Sequence, residues 1–322
     1  MPSSLKIVFM GTGEIALPTL RSLIENQREH EIVGVYTQPD KRIGRKQLIT
    51  PPAVKVIATE AGIPVFQPES LRNNEAALEA FQALRCDLAI VMAYGQILPR
   101  SVIEAPKIAC LNLHASLLPR HRGASPIQAA IRDGDSESGI TLMHIVPKLD
   151  AGDMILKKTI VIEPTDSGGI LHHRLAELGP ELLDEAMPLF EKGILDATPQ
   201  DEDLVTYSGK LEREDGEIDW SLPATKIERL IRAYDPWPGT YTSLTTDSGI
   251  KKLKLYPQSL VIDHVKAPPG TIVASGKNLT IACGEGALKL TGDLQVEGRK
   301  RLDLASFVNG IAMEEGSILG TS

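Results

Sequence analysis

The sequence predicts an α/β fold: a Rossmann-like, doubly wound, mostly parallel sheet followed by a small β-barrel. Three observations predict it. Short apolar runs alternate with helical patterns through the first third of the chain, the rhythm of a parallel sheet with helices on both faces. From about residue 138 that rhythm gives way to longer β-rich runs. Beyond about residue 208, short strands punctuated by glycine follow one another, as in a small barrel.

Each element has its own signal. Leu5 to Met10 is a continuous apolar-rich run ending at Gly11-Thr12-Gly13, which reads as a buried strand and a tight turn. Ile15, Leu17, Leu20, Leu23 and Ile24 recur at helical spacing, and Ile32 to Tyr36 is a second strand closed by Gln38-Pro39-Asp40. A helix follows Pro51-Pro52 and ends at Gly62; Val65-Phe66 is a short strand, and Leu71 to Leu84 carries another helix. Leu88–Met92 and Ile108–Leu113 are further strands, with Leu98–Ile103 between them. Gly139–Val146 and Met154–Ile162 read as an antiparallel pair around the loop 147–153. Ser167–Lys192 reads as one long helix broken at Gly179-Pro180. The polar, acidic stretch after it reads as a linker. In the last part a helix around Ile227–Ile231 precedes strands at Thr240–Leu244, Leu253–Val261, Gly270–Ala274, Leu279–Cys283 and Ala287–Leu290, then a helix at Leu302–Val308.

The chain has 322 residues, 42% of them hydrophobic and 24% charged, so it holds enough apolar mass for a full core and is not a disordered chain. No window approaches the roughly 18 apolar residues of a membrane span. The first apolar run, Ile7–Met10, is too short for a signal-peptide core of about 7–15 residues. A soluble, cytoplasmic protein without membrane contact is expected. Three scattered cysteines, Cys86, Cys110 and Cys283, make neither a disulfide framework nor a thiolate metal site. No His, Cys or acidic cluster has ligand spacing, so no metal is expected.

Net charge is −8, which argues against a generally basic nucleic-acid binder. It is unevenly spread: residues 208–322 carry 14 basic and 15 acidic side chains, the remainder 20 and 27. Inside the acidic front part lies a basic knot, Lys41-Arg42-Ile43-Gly44-Arg45-Lys46. Charge alone leaves two readings of it, a solvated loop or a phosphate contact. Gly11-x-Gly13 invites a dinucleotide reading, but position 16 is Ala and the second strand ends in Tyr36-Thr37-Gln38 without an acid. NAD is therefore not expected.

The densest chemistry lies in Asn112–Gln128. Asn112 and His114 stand two apart at the end of an apolar strand, which puts both side chains on one face. An asparagine amide can donate to a carbonyl oxygen, and a histidine relays protons near neutral pH. The end of a parallel strand is where such groups gather in an open α/β sheet. Ser116–Pro119 forms a small apolar loop, and Arg120-His121-Arg122-Gly123 a cationic turn. His144, His172 and His173 are expected to be structural, and His30 and His264 to lie on the surface.

These segments resemble the methionyl-tRNA formyltransferases, within the wider family of enzymes that use 10-formyltetrahydrofolate. The match runs through Gln38-Pro39-Asp40 with Gly44-Arg45, Asn112-Leu113-His114, Ser116–Arg120 with Arg122-Gly123 and Pro126-Ile127-Gln128, and Leu149-Asp150-Ala151-Gly152-Asp153. It continues through Gly216–Trp220, Ile231–Tyr234 and Pro236-Trp237-Pro238-Gly239, nearly the whole chain. The family pattern Gly-Arg-Gly is here Gly44-Arg45-Lys46.

The resemblance implies formyl transfer from the folate co-substrate to the amino group of initiator methionyl-tRNA. Asn112, His114 and Asp150 would be catalytic; Ser116, Leu117, Leu118 and Pro119 would hold the folate; Lys41, Arg42, Arg45 and Lys46 would meet tRNA. It also implies a monomer, with residues 1–192 as the formyltransferase domain, 193–207 as a linker and 208–322 as an OB-like tRNA-binding domain. Relatives that formylate an amino sugar nucleotide or hydrolyse 10-formyltetrahydrofolate, and an inert RNA-binding protein on the same fold, are the competing readings. The basic knot favours the tRNA enzyme, since a small substrate has no need of four cations there. The presence of all three catalytic residues disfavours inertness.

Overall fold

The structure, a computed structural model, describes residues 4–26, 30–44, 47–193, 196–246, 249–311 and 313–320. Arg45 and Lys46 of the basic knot lie outside the described residues. In chain order the first elements are β1 (Leu5–Gly11), α1 (Leu17–Glu25), β2 (His30–Tyr36), β3 (Lys41–Ile43), β4 (Leu48–Thr50), α2 (Ala53–Glu60), β5 (Val65–Phe66), α3 (Glu75–Ala83), β6 (Leu88–Met92), α4 (Arg100–Ile103) and β7 (Ala109–His114). Then come β8 (Arg122–Gly123), α5 (Pro126–Asp133), β9 (Glu137–His144), β10 (Met154–Val161), α6 (Gly168–Ala176), α7 (Leu178–Glu191) and β11 (Tyr207–Ser208). The chain closes with α8 (Ala224–Ala233), β12 (Thr240–Thr246), β13 (Gly249–Leu255), β14 (Ser259–Ile262), β15 (Ile272–Ala274), β16 (Thr280–Ala282), β17 (Ala287–Leu290), β18 (Leu294–Val296) and α9 (Leu304–Gly310). It divides into two units: Met1–Gly123, Ser138–Ile160 and His172–Tyr207 in one, and Ala124–Glu137, Val161–Leu171 and Ser208–Ser322 in the other.

The first unit is built on a seven-stranded sheet in the order β10-β9-β7-β6-β1-β2-β5. β1 pairs in parallel with β2 and β6, β6 with β7, and β2 with β5. β9 joins β7 antiparallel, so the sheet is mostly parallel with an antiparallel margin. Ile7 to Met10 are fully buried, as expected of a central strand covered on both faces. Across the register, Tyr36, Met10, Val91 and Asn112 fall in one row. The first three belong to one apolar cluster with Phe81, Leu71 and Val102. Asn112 therefore continues, across the sheet, a core row that lies near the carboxyl ends of the strands.

Several element boundaries depart from the sequence expectation, each for a local reason. The helix expected from Leu71 begins only at Glu75, because Asn74 caps it by accepting from Ala77 N–H and Asn73 sits at φ +56°. The long helix expected over 167–192 is two helices, α6 and α7, separated at Glu177. Gly179 and Pro180 fall in the first turn of α7, where a missing N–H removes no helical bond. The run 253–261 splits into β13 and β14 around Pro257, with Gln258 at φ +88°. β18 was too short for the pattern to reveal. His30, expected on the surface, is 3% exposed and bonds the Leu23 carbonyl oxygen through Nε2.

The basic knot is the start of an exposed β-hairpin. Lys41 pairs with Thr50 and Arg42 with Ile49, and Lys41, Arg42, Leu48 and Ile49 are all exposed. Gly44 turns it at φ +71° with nothing within 4 Å of where a side chain would start, so backbone strain rather than crowding selects glycine there.

In the second unit, β12-β13-β18 and β14-β17-β16-β15 form two antiparallel sheets, as a small barrel. They share a core of Leu253, Leu255, Ile272, Ile281, Leu288 and Leu290, closed by Ile227 and Ile231 of α8 and Phe307 of α9. Trp220 lies in the same core and donates its indole N–H to Thr242 Oγ1 at 2.9 Å. The cysteines are buried; burial pushes the Cys110 and Cys283 thiols up to about 12, which leaves them inert as nucleophiles. Among the described residues no helix is long and apolar enough to cross a membrane.

Leu288→Ala should remove a fully buried side chain from this core and cost about 2–5 kcal/mol. Urea unfolding followed by tryptophan fluorescence would measure it, since Trp220 reports the same cluster. An unchanged midpoint would contradict the shared core.

Candidate active site

β7 carries Asn112 and His114 to the carboxyl edge of the sheet. His114 is 6% exposed, and its Nε2 lies 2.9 Å from the His121 carbonyl oxygen. A carbonyl only accepts, so Nε2 carries the proton and Nδ1 is the basic nitrogen. Nδ1 faces Asp150 Oδ2 at 3.7 Å, too long for a direct hydrogen bond. A basic nitrogen and a carboxylate thus confront each other across a short gap. Asn112 is half-buried, and its side-chain amide makes no hydrogen bond to any described residue. Oxyanion donors need such an uncommitted amide.

Asp150 sits at φ +46° in the loop between β9 and β10, and its carboxylate accepts the Gly123 N–H at 2.8 Å. The loop is tight. A Cβ on Gly152 would come within 1.8 Å of the His144 carbonyl oxygen, so only glycine lets the two backbones approach. β9 and β10 close around the loop through His144 N–H to the Asp153 carbonyl.

The Ser116–Pro119 loop is rigid for a different reason. Ser116 Oγ donates to the Arg120 carbonyl at 2.7 Å. Thr141 Oγ1 donates to Ser116 O at 2.7 Å and accepts Leu118 N–H at 3.2 Å. Lys157 Nζ donates to Leu118 O, and burial pushes this ammonium below its ordinary value. Ser116 and Leu118 are buried while Leu117 and Pro119 are half-exposed. The last two offer the loop's open apolar surface.

Sequence reasoning missed the residues that hold these loops together. Arg122 has no solvent exposure; its Nε donates to Gln200 Oε1 and its Nη2 to Glu202 Oε1, both at 2.9 Å. Gln200 Nε2 in turn donates to the carbonyls of Asp150 and Gly152, each at 2.8 Å. Lys148 Nζ reaches the other Glu202 oxygen at 2.7 Å. Thr206 Oγ1 accepts His121 N–H at 2.8 Å, and its carbonyl accepts Arg122 N–H at 2.9 Å. The acidic stretch that reads as a linker is therefore bonded into the loops carrying His121 and Asp150. The available signal was Arg122 itself: an arginine beside an apolar motif demands an acid, and the run Asp201-Glu202-Asp203 supplies one.

The structure thus brings His114 and Asp150 together and sets Asn112 on the same strand. Lys41 and Arg42 stand on the hairpin. Among the described residues no group of three His, Cys, Asp or Glu could hold a metal ion.

Comparison with known proteins identifies two family regions, described as Formyl transferase over residues 5–187 and as Formyl transferase, C-terminal domain over residues 210–312. The chain is 48% identical over 308 residues to a protein named Methionyl-tRNA formyltransferase from Akkermansia muciniphila, covering 95% of this chain and 96% of that protein. It is equally similar, 48% over 310 residues and 96% of each chain, to a protein of the same name from Ectopseudomonas mendocina. Among solved structures, HypX from Aquifex aeolicus in complex with tetrahydrofolic acid superposes with a TM-score of 0.61 at 21% identity, over 95% of this chain and 47% of that one. The sugar 3N-formyl transferase WlaRD, solved in the presence of dTDP and 5-N-formyl-THF, gives 0.63 at 18% identity, over 92% and 100%. At these identities the structural likeness is one of fold.

The network makes two predictions. Arg122 and Lys148 hold the Glu202 carboxyl down to about 2 from an ordinary 4.5. A depressed carboxylate stabilises the fold above its ordinary value and loses that contribution as pH falls from about 4.5 through about 2. Glu202→Gln should flatten acid sensitivity in this window, measured as urea midpoint against pH; parallel curves would refute the linkage. Gln200→Leu strips partners from two carbonyls and from Arg122 Nε, and should destabilise by about 1–3 kcal/mol for each buried group left unmet. Calorimetric melting reads it, and an unaltered melting temperature would exclude the role.

Proposed function

The chain belongs to the formyl transferase family, and from that premise we propose that it transfers a formyl group from 10-formyltetrahydrofolate to the free amino group of methionyl-initiator-tRNA, for translation initiation. The observation that carries the chemistry is the basic Nδ1 of His114 facing Asp150 across 3.7 Å, beside the uncommitted amide of Asn112. Relatives 43–48% identical over nearly the full chain bear the name of this tRNA enzyme. The sugar formyltransferases among the solved structures share only the fold, at 17–20% identity.

The folate, when bound, supplies the activated formyl carbonyl. The residues present fit it: Leu117 and Pro119 give a half-exposed apolar surface, and Ser116 and Leu118 stiffen that loop from within. Asn112 donates an amide N–H to the formyl oxygen as negative charge develops there. The attacking amine must lose a proton and the folate nitrogen must gain one, so a relay is required. His114 Nδ1 accepts the amine proton and returns it to the folate nitrogen as the bond from that nitrogen to the formyl carbon breaks, with Asp150 stabilising the imidazolium between the two transfers. The His121 carbonyl keeps the imidazole in the one tautomer that can do this.

For the tRNA, Lys41 and Arg42 on the hairpin, continued by Arg45 and Lys46, form the phosphate-contacting arm. Formyl transfer belongs to residues 1–192 together with the 200–206 segment that braces its loops, and further tRNA contact to 208–322. In the latter, Lys252 lies 3.9 Å from the Tyr241 ring centroid and Arg301 3.7 Å from that of Tyr256. Cations on aromatic rings are a common nucleic-acid surface. The protein acts in the cytoplasm as a monomer.

Asn112→Ala should cost about 10²–10³ in turnover, and His114→Ala and Asp150→Ala should each cripple transfer while melting normally. Near-normal turnover in a folded His114→Ala variant would sink the assignment. Arg42→Ala and Arg45→Ala should weaken tRNA binding and lower the slope of log affinity against log salt by about 1 per lost phosphate contact. Folate binding should be unaffected. Unchanged slopes and rates would return the knot to a solvated loop.

A further inference from the structure

The hairpin that carries Lys41 and Arg42 is exposed at both of these residues and at Leu48–Thr50, so its direction has to be set at its root. There the contacts are dense. Asp40, the residue before β3, receives Lys55 Nζ on both carboxylate oxygens at 2.9 and 2.8 Å. Gln67 Nε2 donates to Asp40 Oδ1 and to the Gln38 carbonyl, each at 2.8 Å. Gln38 is held from the other side, its N–H on Thr12 Oγ1 at 3.1 Å and its amide on the Tyr94 carbonyl at 3.3 Å. Lys55 belongs to the first turn of α2, which the chain enters directly from the hairpin through Pro51-Pro52. The Asp40–Lys55 pair therefore ties the entry of the hairpin to the helix that follows its exit. Both side chains are about one-third exposed or less, at 28% and 32%, and the acid keeps its charge because Lys55 and Gln67 hold it below the ordinary carboxylate range.

We infer that Asp40 is a positioning residue for transfer to tRNA: clasped by Lys55 and Gln67, it fixes the root of the hairpin and so aims Lys41 and Arg42. This rests on the reading of the hairpin as the tRNA-contacting arm. An acid beside four cations is otherwise unfavourable for binding a polyanion, and its local charge opposes the arm's own. Its geometry explains its presence. A tilt at the root is amplified along the hairpin, and a misplacement of ~1 Å can cost on the order of 10²-fold in rate.

The sign of the charge change separates aim from charge. Asp40→Asn makes the root more positive and Lys55→Met makes it more negative. If only field strength mattered, the first would tighten tRNA binding and the second would loosen it. A clasp predicts that both lower kcat/KM for methionyl-tRNA, by about tenfold. The double variant should be no worse than either single one, the signature of one shared interaction. Lys55→Arg, which can keep the ion pair, should restore most of the rate, and KM for the folate should stay unchanged throughout.

The experiment is steady-state transfer with these four variants, with Arg42→Ala run alongside. If Arg42→Ala leaves rate and salt slope intact, the arm reading itself fails and the clasp falls with it. If Arg42→Ala impairs transfer while Asp40→Asn and Lys55→Met move in opposite directions, or not at all, the arm stands and the clasp is wrong. A changed folate KM in Asp40→Asn would also overturn it.

Discussion

A guanidinium removed from solvent has to be paired where it sits, and much of the active-site architecture follows from that requirement at Arg122. An unpaired buried charge costs several kcal/mol. The partners found are not neighbours in sequence but Gln200 and Glu202, nearly eighty residues on. Meeting the charge therefore pulls the 200–206 segment against the loop 120–123. That segment in turn supplies the amide that binds the Asp150 and Gly152 carbonyls and the threonine that binds His121 and Arg122 backbone N–H groups. The His121 carbonyl is the acceptor that sets the His114 tautomer. One paired charge thereby helps to orient both members of the facing pair.

This explains which parts were legible in advance. A strand such as Leu88–Met92 was readable because a run buried on both faces is apolar throughout, and that pattern is local. Asn112 and His114 were readable because a period of two fixes their common face. Asp150 had no such periodicity; only its resemblance to a known loop singled it out, and its position opposite His114 depends on the φ of +46° and on Gly152. Gln200 carried no signal at all. A glutamine in an acidic run is indistinguishable from a linker residue until the buried arginine it serves is placed in space.

The misread boundaries have a common cause of another kind. Asn73 at φ +56° and Gln258 at φ +88° interrupt spans that the wider hydrophobic pattern reads as one element. A positive φ at a non-glycine residue is set by tertiary context, so propensity does not reveal it. The basic knot shows the converse. Charge said only that it could not be buried, and an exposed two-stranded hairpin satisfies that condition as well as a loop does. Its strands bond to each other, so their backbone groups are met without joining the central sheet.

The charge pattern acquires a physical sense from this geometry. A body of net −8 repels a polyanion over the range of a Debye length, about 8–10 Å near physiological salt. Most of that charge lies in the front part of the chain, which also carries the proposed chemistry. On the proposed reading, a tRNA gains affinity where cations stand out from the acidic background, at Lys41 and Arg42 on the hairpin and at Lys252 over the Tyr241 ring. Binding elsewhere is disfavoured by the same field. Repulsion over most of the surface, with attraction confined to projecting sites, makes register a matter of geometry rather than of total charge. Such a design requires that the projecting sites be held still. The bonds at the root of the hairpin answer that requirement for the arm, as the buried pairing of Arg122 does for the loops that carry His121 and Asp150.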